Sequence, residues 1–289
     1  MTENLKNFKR KRLLRFARND AFTSKRPLGS AILLLLFIIV CACYFVFSGV
    51  SKVYASGLIG LEVKGGAYFQ NLTGHVAAGG NVGGNVPTNI TPSDLGLPTT
   101  KTEPMLKIAF YVLYDNRISF TYVPYEYSGS KVLSQNIYFN GQEYNINTEV
   151  NSKLDLYSYK MFYDHNFEIN RYASVGLGVG IDVITAKTEL DAASLGLSES
   201  KNVRLPIPLI GGRIKISPLN DFSFIGKFQG FTVGADGYYY HANVGVNYKT
   251  VGPLSIFADY VYDKVHVDTS GVNGSLEFDG PEAGVRLRF

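Results

Sequence analysis

Every second side chain from residue 173 to residue 183 is aliphatic. Ala173, Val175, Leu177, Val179, Ile181 and Val183 share one parity, and Tyr172, Ser174, Gly176, Gly178, Gly180 and Asp182 share the other. Successive side chains of an extended chain point to opposite faces, so a period of two separates two environments. One face here excludes water; the other admits polar groups or close backbone approach. No segment from Gly57 onward shows a convincing 3.6-residue apolar stripe. The chain is thereby restricted to strands whose two faces differ.

The pattern recurs at both ends. Ile59, Leu61, Val63, Ala67 and Phe69 alternate with Glu62, Lys64 and Tyr68, and Ala283, Val285, Leu287 and Phe289 alternate with Glu282, Gly284, Arg286 and Arg288. Further strands are expected at 105–114, 118–127, 153–163, 205–216, 222–233, 238–248 and 254–266, ten in all. Each is close to the roughly 9 to 11 residues that a tilted membrane strand needs. In 153–163, Leu154 and Leu156 oppose Tyr157, Tyr159, Met161 and Tyr163, and we read the tyrosines as the lipid side. A soluble sandwich would turn its apolar face inward and scatter Lys and Glu outside, whereas here some faces run five or six apolar residues without a charge. The sequence predicts an all-β fold: a closed antiparallel transmembrane β-barrel of about ten strands, with eight as the alternative, after an N-terminal signal helix. Thirty Gly, 20 Tyr and 19 Phe with no Trp suit tight turns and interfacial aromatic rings.

One long apolar block exists, 31–47, and nine Lys or Arg precede it, from Lys6 to Arg26. A charged region followed by an apolar one is the layout of a secretory leader. Val53, Tyr54 and Ala55 then place slender side chains where signal peptidase reads, which predicts cleavage between Ala55 and Ser56, a leader over 1–55 and a barrel over 56–289. The block is also just long enough for a retained anchor, and Val40 to Cys43 carries a weak lipobox pattern; both stand as alternatives. The formal charge of +4 belongs to the leader, because residues 1–55 hold ten of the 28 Lys and Arg and two of the 24 Asp and Glu. The remainder carries 18 basic against 22 acidic residues, a net charge of −4, so a nucleic-acid partner is not expected. Cys41 and Cys43 both lie in the leader, which leaves the mature chain no disulfide, thiolate metal site or cysteine nucleophile.

Connections are expected to alternate: short ones at 115–117, 164–170, 217–221 and 249–253, longer ones at 71–104, 128–152, 187–204 and 267–274, with a short one at 234–237 as the exception. Short turns on one side and long loops on the other are how membrane barrels are built. Residues 71–104, rich in Gly, Asn, Thr and Pro, read as too polar and broken to pack a core, hence exposed and mobile. Asn140-Gly141 is expected to turn a hairpin above the membrane.

The closing stretch PEAGVRLRF resembles the C-terminal signature of bacterial outer-membrane proteins through Ala283, Val285, Leu287 and Phe289. Together with YASVGLGVGIDV and LPIPLIGGRIKISPLNDFSF, the chain over about 57–289 resembles the porin-like group of small outer-membrane β-barrels that includes OmpA-like and OmpW-like members. The resemblance implies an outer-membrane location in a Gram-negative bacterium, contact with outer-membrane lipid, and recognition by the barrel-assembly machinery through Val285, Leu287 and Phe289. It implies no single activity, since such barrels serve as anchors, adhesins and small-solute pores.

Alternation sends Glu62, Lys64, Asp182, Arg213, Lys215, Lys227, His241, Asp259, Asp263, Glu282, Arg286 and Arg288 toward the lumen. Mixed charge inside a narrow barrel is expected to form salt bridges; a gated path for small polar solutes is the competing reading. The function expected is a porin-like or structural envelope component. Two rivals remain. The first is an outer-rim hydrolase of lipid A or peptide, with His241 near the outer mouth and Asp236, Asp263, His266 and Asp268 around it. The second is an adhesin or receptor working through its loops. His75, His165, His241 and His266 stand in no metal-type spacing, so neither a metal nor another cofactor is expected.

Overall fold

The computed structural model describes residues 59–78, 88–113, 115–139, 142–269 and 272–289. The leader and its expected cleavage site at Ala55 and Ser56 lie outside them. Ten strands close into one antiparallel barrel: β1 (Ile59–Ala78), β2 (Thr100–Val112), β3 (Asn116–Val132), β6 (Glu149–Asn170), β7 (Ala173–Ala192), β8 (Leu197–Leu219), β9 (Phe222–Thr232), β10 (Gly237–Lys249), β11 (Leu254–Thr269) and β12 (Val272–Arg288). Between β3 and β6, β4 (Ile137–Phe139) pairs with β5 (Gln142–Tyr144) as a separate hairpin around positions 140–141. The seam joins β1 to β12, where Leu61 and Phe289 exchange backbone hydrogen bonds of 3.1 and 2.8 Å.

The register sets the shape. From Leu61, partners run through Phe110, Ile118, Tyr163, Val179, Ile210, Gly230, Tyr240, Lys264 and Glu277 back to Thr73, twelve residues along β1 from the start. Ten strands staggered by twelve residues tilt by about 40° and enclose a cylinder of roughly 10 Å radius, taking a rise of about 3.3 Å per residue and strands about 4.8 Å apart. Side chains fill most of such a lumen.

The outward face changes character partway up. On β7 it is apolar from Ala173 through Val183, then polar at Thr185, Lys187, Glu189 and Asp191; on β8 it is polar at Ser198, Ser200, Asn202 and Arg204, then apolar from Pro206 to Ile216. Val183 pairs with Pro206 and Thr185 with Arg204, so the two boundaries coincide. At that tilt, ten residues rise roughly 25 Å, the height of the apolar band on a membrane barrel. Beyond the band the inward face takes over as the apolar one: Val150, Leu154, Leu156, Ile184 and Leu190 are buried inside. The strands keep their parity while the solvent for each face inverts. That explains 153–163, where Tyr159 and Met161 face lipid while Leu154 and Leu156 belong to the core above it.

Strands that outrun the membrane shorten the expected loops. Residues 187–204 are not a long loop; β7 and β8 continue to a one-turn 3-10 segment, Ala193–Leu195. Strand likewise occupies 164–170 and most of 267–274. Residues 71–104 depart furthest from expectation. Its start is the end of β1, and 88–99 folds back onto the barrel through mutual hydrogen bonds of 2.9 Å between Val76 and Ile90. Thr91 and Asp94 form a reciprocal cap on the 3-10 turn Pro92–Leu95, which Gly96 ends at φ 70°, a left-handed conformation suited to glycine. Ile90, Leu95 and Leu97 are buried among Leu133, Ile137, Phe139 and Tyr144. Composition had masked three apolar anchors spaced to reach one cluster. Residues 79–87 lie outside the described residues.

The outer part of β8 has a partner on one side only, because β9 pairs with it no further than Ile210. Pro206 and Pro208 sit at the start of that free edge, where missing amide donors discourage pairing with another chain.

Candidate functional site

The lumen holds the chemistry, in three layers. Toward the end with short turns, Glu62, Lys64, Asp259 and Glu282 are buried; Arg213, Lys215, Lys227 and Arg286 are half-buried; and Arg288 is exposed at the mouth, 4.2 Å from the Tyr111 ring centre. Lys64 Nζ meets Asp259 Oδ2 at 2.8 Å. Arg117 reaches Asp164 Oδ2 at 3.1 Å and Glu62 Oε1 at 3.8 Å, Arg213 lies 3.4 Å from Asp164 Oδ1, and Arg286 lies 3.8 Å from Glu62 Oε2. Each of these two carboxylates is therefore shared by two guanidinium groups. Charges taken from water are tolerated only when paired and hydrogen-bonded, and this layer meets that condition in part.

The middle layer is a tighter knot. His241 is 8% exposed and its Nδ1 lies 2.8 Å from Asp263 Oδ1. A carboxylate has no proton to give, so the imidazole donates from Nδ1. Tyr239 donates to the same oxygen at 2.6 Å, Lys160 donates to the Tyr239 hydroxyl at 2.7 Å, and Lys160 lies 3.7 Å from both Asp263 and Asp182. Ser158 donates to both oxygens of Asp182, at 2.8 and 2.9 Å. The sequence placed His241 near the outer mouth; the structure encloses it, because β9 and β10 end low and the neighbouring strands rise past them. Asp236 and Asp268 are exposed, and His266 stacks on Tyr238 at 5.0 Å on the outward face. Of the five residues grouped for rim chemistry, His241 and Asp263 meet in the enclosed lumen.

Above the knot the lumen is packed with rings and aliphatics. Tyr68 stands edge-on to Tyr125 at 6.4 Å, Tyr125 contacts Phe278 at 4.4 Å, and Tyr127 donates to Gln70 Oε1 at 2.9 Å. Residues of the hairpin β4–β5 and of 88–99 join this buried cluster, beside an apolar cavity of about 100 Å³ that Phe139, Leu154, Leu156, Ile184 and Leu276 help to line.

Sequence reading missed Lys107, Arg117, Lys160, Asp164 and Tyr239 as lumen groups. Lys107 was detectable, since it opposes Leu106 and Ile108 in the alternation of β2. Lys160 and Asp164 were hidden by the mixed pattern of β6. Among the described residues no group of three or more His, Cys, Asp or Glu is placed to hold a metal.

An apolar belt around a polar lumen, closed by ten strands, defines a small β-barrel of the outer-membrane type. No protein-family model matches the sequence, and no curated protein does. Among solved structures the chain is similar to the outer membrane protease OmpT of Escherichia coli, with a TM-score of 0.53, 11% identity, and coverage of 82% of this chain and 99% of that one. Also similar are the translocator domain of the autotransporter NalP of Neisseria meningitidis (TM-score 0.39, 12% identity, 87% and 98% covered) and Ail, the attachment invasion locus protein of Yersinia pestis (TM-score 0.35, 11% identity, 81% and 100% covered). At such identities the likeness to OmpT is one of fold alone.

Proposed function

We propose that the protein is an exported structural component of the outer membrane, a barrel closed across its lumen, with its short turns in the periplasm and its tall walls outside the cell. The observation that carries this reading is the stack across the lumen, from the Lys160–Tyr239–Asp263–His241 knot through Tyr68, Tyr125 and Phe278 to the buried residues of the folded-in loops. A solute would have to displace hydrogen-bonded, buried groups to pass. In this reading the belt contacts outer-membrane lipid, and Val285 and Leu287 on the outward face of β12, with Phe289 just past its end, serve the assembly machinery.

A hydrolase reading, for which OmpT is the precedent in kind, needs an open rim. The histidine–aspartate pair here has Tyr239 and Lys160 on it instead of a cleft. The test is conductance: refolded barrel in planar bilayers is expected to give no steady current under applied voltage. Stable, voltage-independent steps would overturn the closed-lumen reading and restore a pore.

A further inference from the structure

We propose that the turn-end half of the lumen is a binding site for a tetrahedral oxyanion of the phosphate or sulfate class. A cavity of about 40 Å³ lies there, lined by eight Lys and Arg but only two carboxylates, Glu62 and Asp259. Asp164, just behind the lining, pairs with Arg117 and Arg213. Counting it and Glu282, the buried neighbour of Asp259, eight basic groups face four carboxylates, an excess of four. A low-dielectric wall sustains such an excess only where lysines give up their protons or a counter-charge enters.

The unpaired groups converge on the cavity. Lys107 is 8% exposed, lines it, and has no ion-pair partner among the described residues; Lys215 and Lys227 have none there either. The buried Nε atoms of Arg117, Arg213 and Arg286 and the Nδ2 atoms of Asn243 and Asn247 have no acceptor. Against these five orphaned donors the same lining leaves two acceptors unpartnered, Asn247 Oδ1 and Asp259 Oδ1, and the surplus of donors is costly unless something accepts from them. Where about 10–15 Å³ admits one water, this cavity takes about three waters or one four-oxygen anion. Guanidinium and ammonium groups together are how proteins hold such anions.

Access is from the turn end. A recess of about 240 Å³, walled by the turns at Asn220 and Gly252, shares Lys215, Asn247, Arg286 and Arg288 with the cavity. The anion therefore arrives from the compartment under the short turns, with no need to cross the closed middle. A free anion and a phosphorylated headgroup offer the same oxygens, and the recess is wide enough for an ester to trail out of the cavity.

The experiment is urea unfolding of the refolded full barrel in zwitterionic micelles, with inorganic phosphate, sulfate or glycerol phosphate added and sodium chloride at matched ionic strength as reference. A ligand that binds only the folded state raises the midpoint along a saturating curve. Inorganic phosphate is expected to do so and chloride is not; a tighter curve for glycerol phosphate assigns the source as a headgroup-type ester. Lys107→Met with Lys227→Met is expected to weaken phosphate at least tenfold, while Lys131→Gln, on the far loop end, leaves it unchanged. The proposal is overturned if chloride reproduces the phosphate curve, if none of the three oxyanions saturates, or if the double substitution leaves the curve in place. Should the double variant fail to refold, the comparison of phosphate with chloride on the unaltered protein decides alone.

Discussion

The inversion of faces at the membrane boundary can be tested with three arginines on one strand. Leu177 is 57% exposed and lies six residues below Val183, the last apolar outward residue of β7, hence about 15 Å beneath the boundary and close to the midplane at a tilt of about 40°. An outward arginine at midplane costs about 2–4 kcal/mol, falling to about 0–1 near the interface. Leu177→Arg is therefore expected to cost about 2–4 kcal/mol and Thr185→Arg less than about 1. Ile184, between them in height but pointing inward, is buried beside Leu154 and Leu156. Ile184→Arg loses a core side chain, worth about 2–5 kcal/mol when truncated, and buries an unpaired charge in addition. It is expected to be the most damaging of the three, although its neighbour in sequence is the mildest. Urea unfolding in phospholipid vesicles, followed by far-UV circular dichroism, reads all three. Equal costs at 177 and 185 would refute the boundary, and a mild effect at 184 would refute the apolar core above it.

Two further substitutions probe the lumen and the wall. Asp263→Ala removes the acceptor of Tyr239 and His241 and a counter-charge of Lys160; breaking a buried pair from one side costs about 3–5 kcal/mol. Adding Lys160→Met is expected to recover part of that loss in a double-mutant cycle of urea midpoints, whereas a single-mutant cost below about 1 kcal/mol would mean the knot is solvated. Gly178→Ala places a Cβ 2.8 Å from Asp164 Cα and from the Phe162 ring and against the Tyr163 carbonyl, whereas a Cβ at Gly65 meets nothing within 4 Å. Overpacking costs about 1–3 kcal/mol, so Gly178→Ala is expected to lower thermal stability and Gly65→Ala to leave it unchanged; equal melting temperatures would refute the tight contact of β6 with β7.

Alternation was legible in the sequence wherever the two environments held constant along a strand. β7 below Val183, the second half of β12 and the first half of β1 each meet lipid on one side and water or charge on the other, and all ten strands of the barrel were anticipated from such alternation. Legibility failed where a strand crosses from lipid into water. Above Thr185 and Arg204 the outward residues include Ser, Asn, Lys and Glu, so 187–204 has the composition of a loop although its backbone is paired on both sides of the turn at 193–196. Composition reports the solvent of a face, and pairing is a separate matter of register.

The lumen was partly legible for a related reason. Parity alone sends Lys64, Asp182, Asp259 and Asp263 inward, but parity carries no information about which of them meet, because partners are fixed by a stagger of twelve residues around ten strands. Lys64 and Asp259 are 195 residues apart in sequence and 2.8 Å apart in space. The same stagger brings the surplus cations of β2, β8, β9 and β12 to one level while their counter-ions gather elsewhere: Asp263 joins the middle knot and Asp164 is spent on two arginines. Residues 56–289, with a net charge of −4, thus carry a positive interior at one end, and only the closed register reveals it. Net charge describes what the whole barrel presents to its surroundings; the local excess, set by topology, decides what enters it.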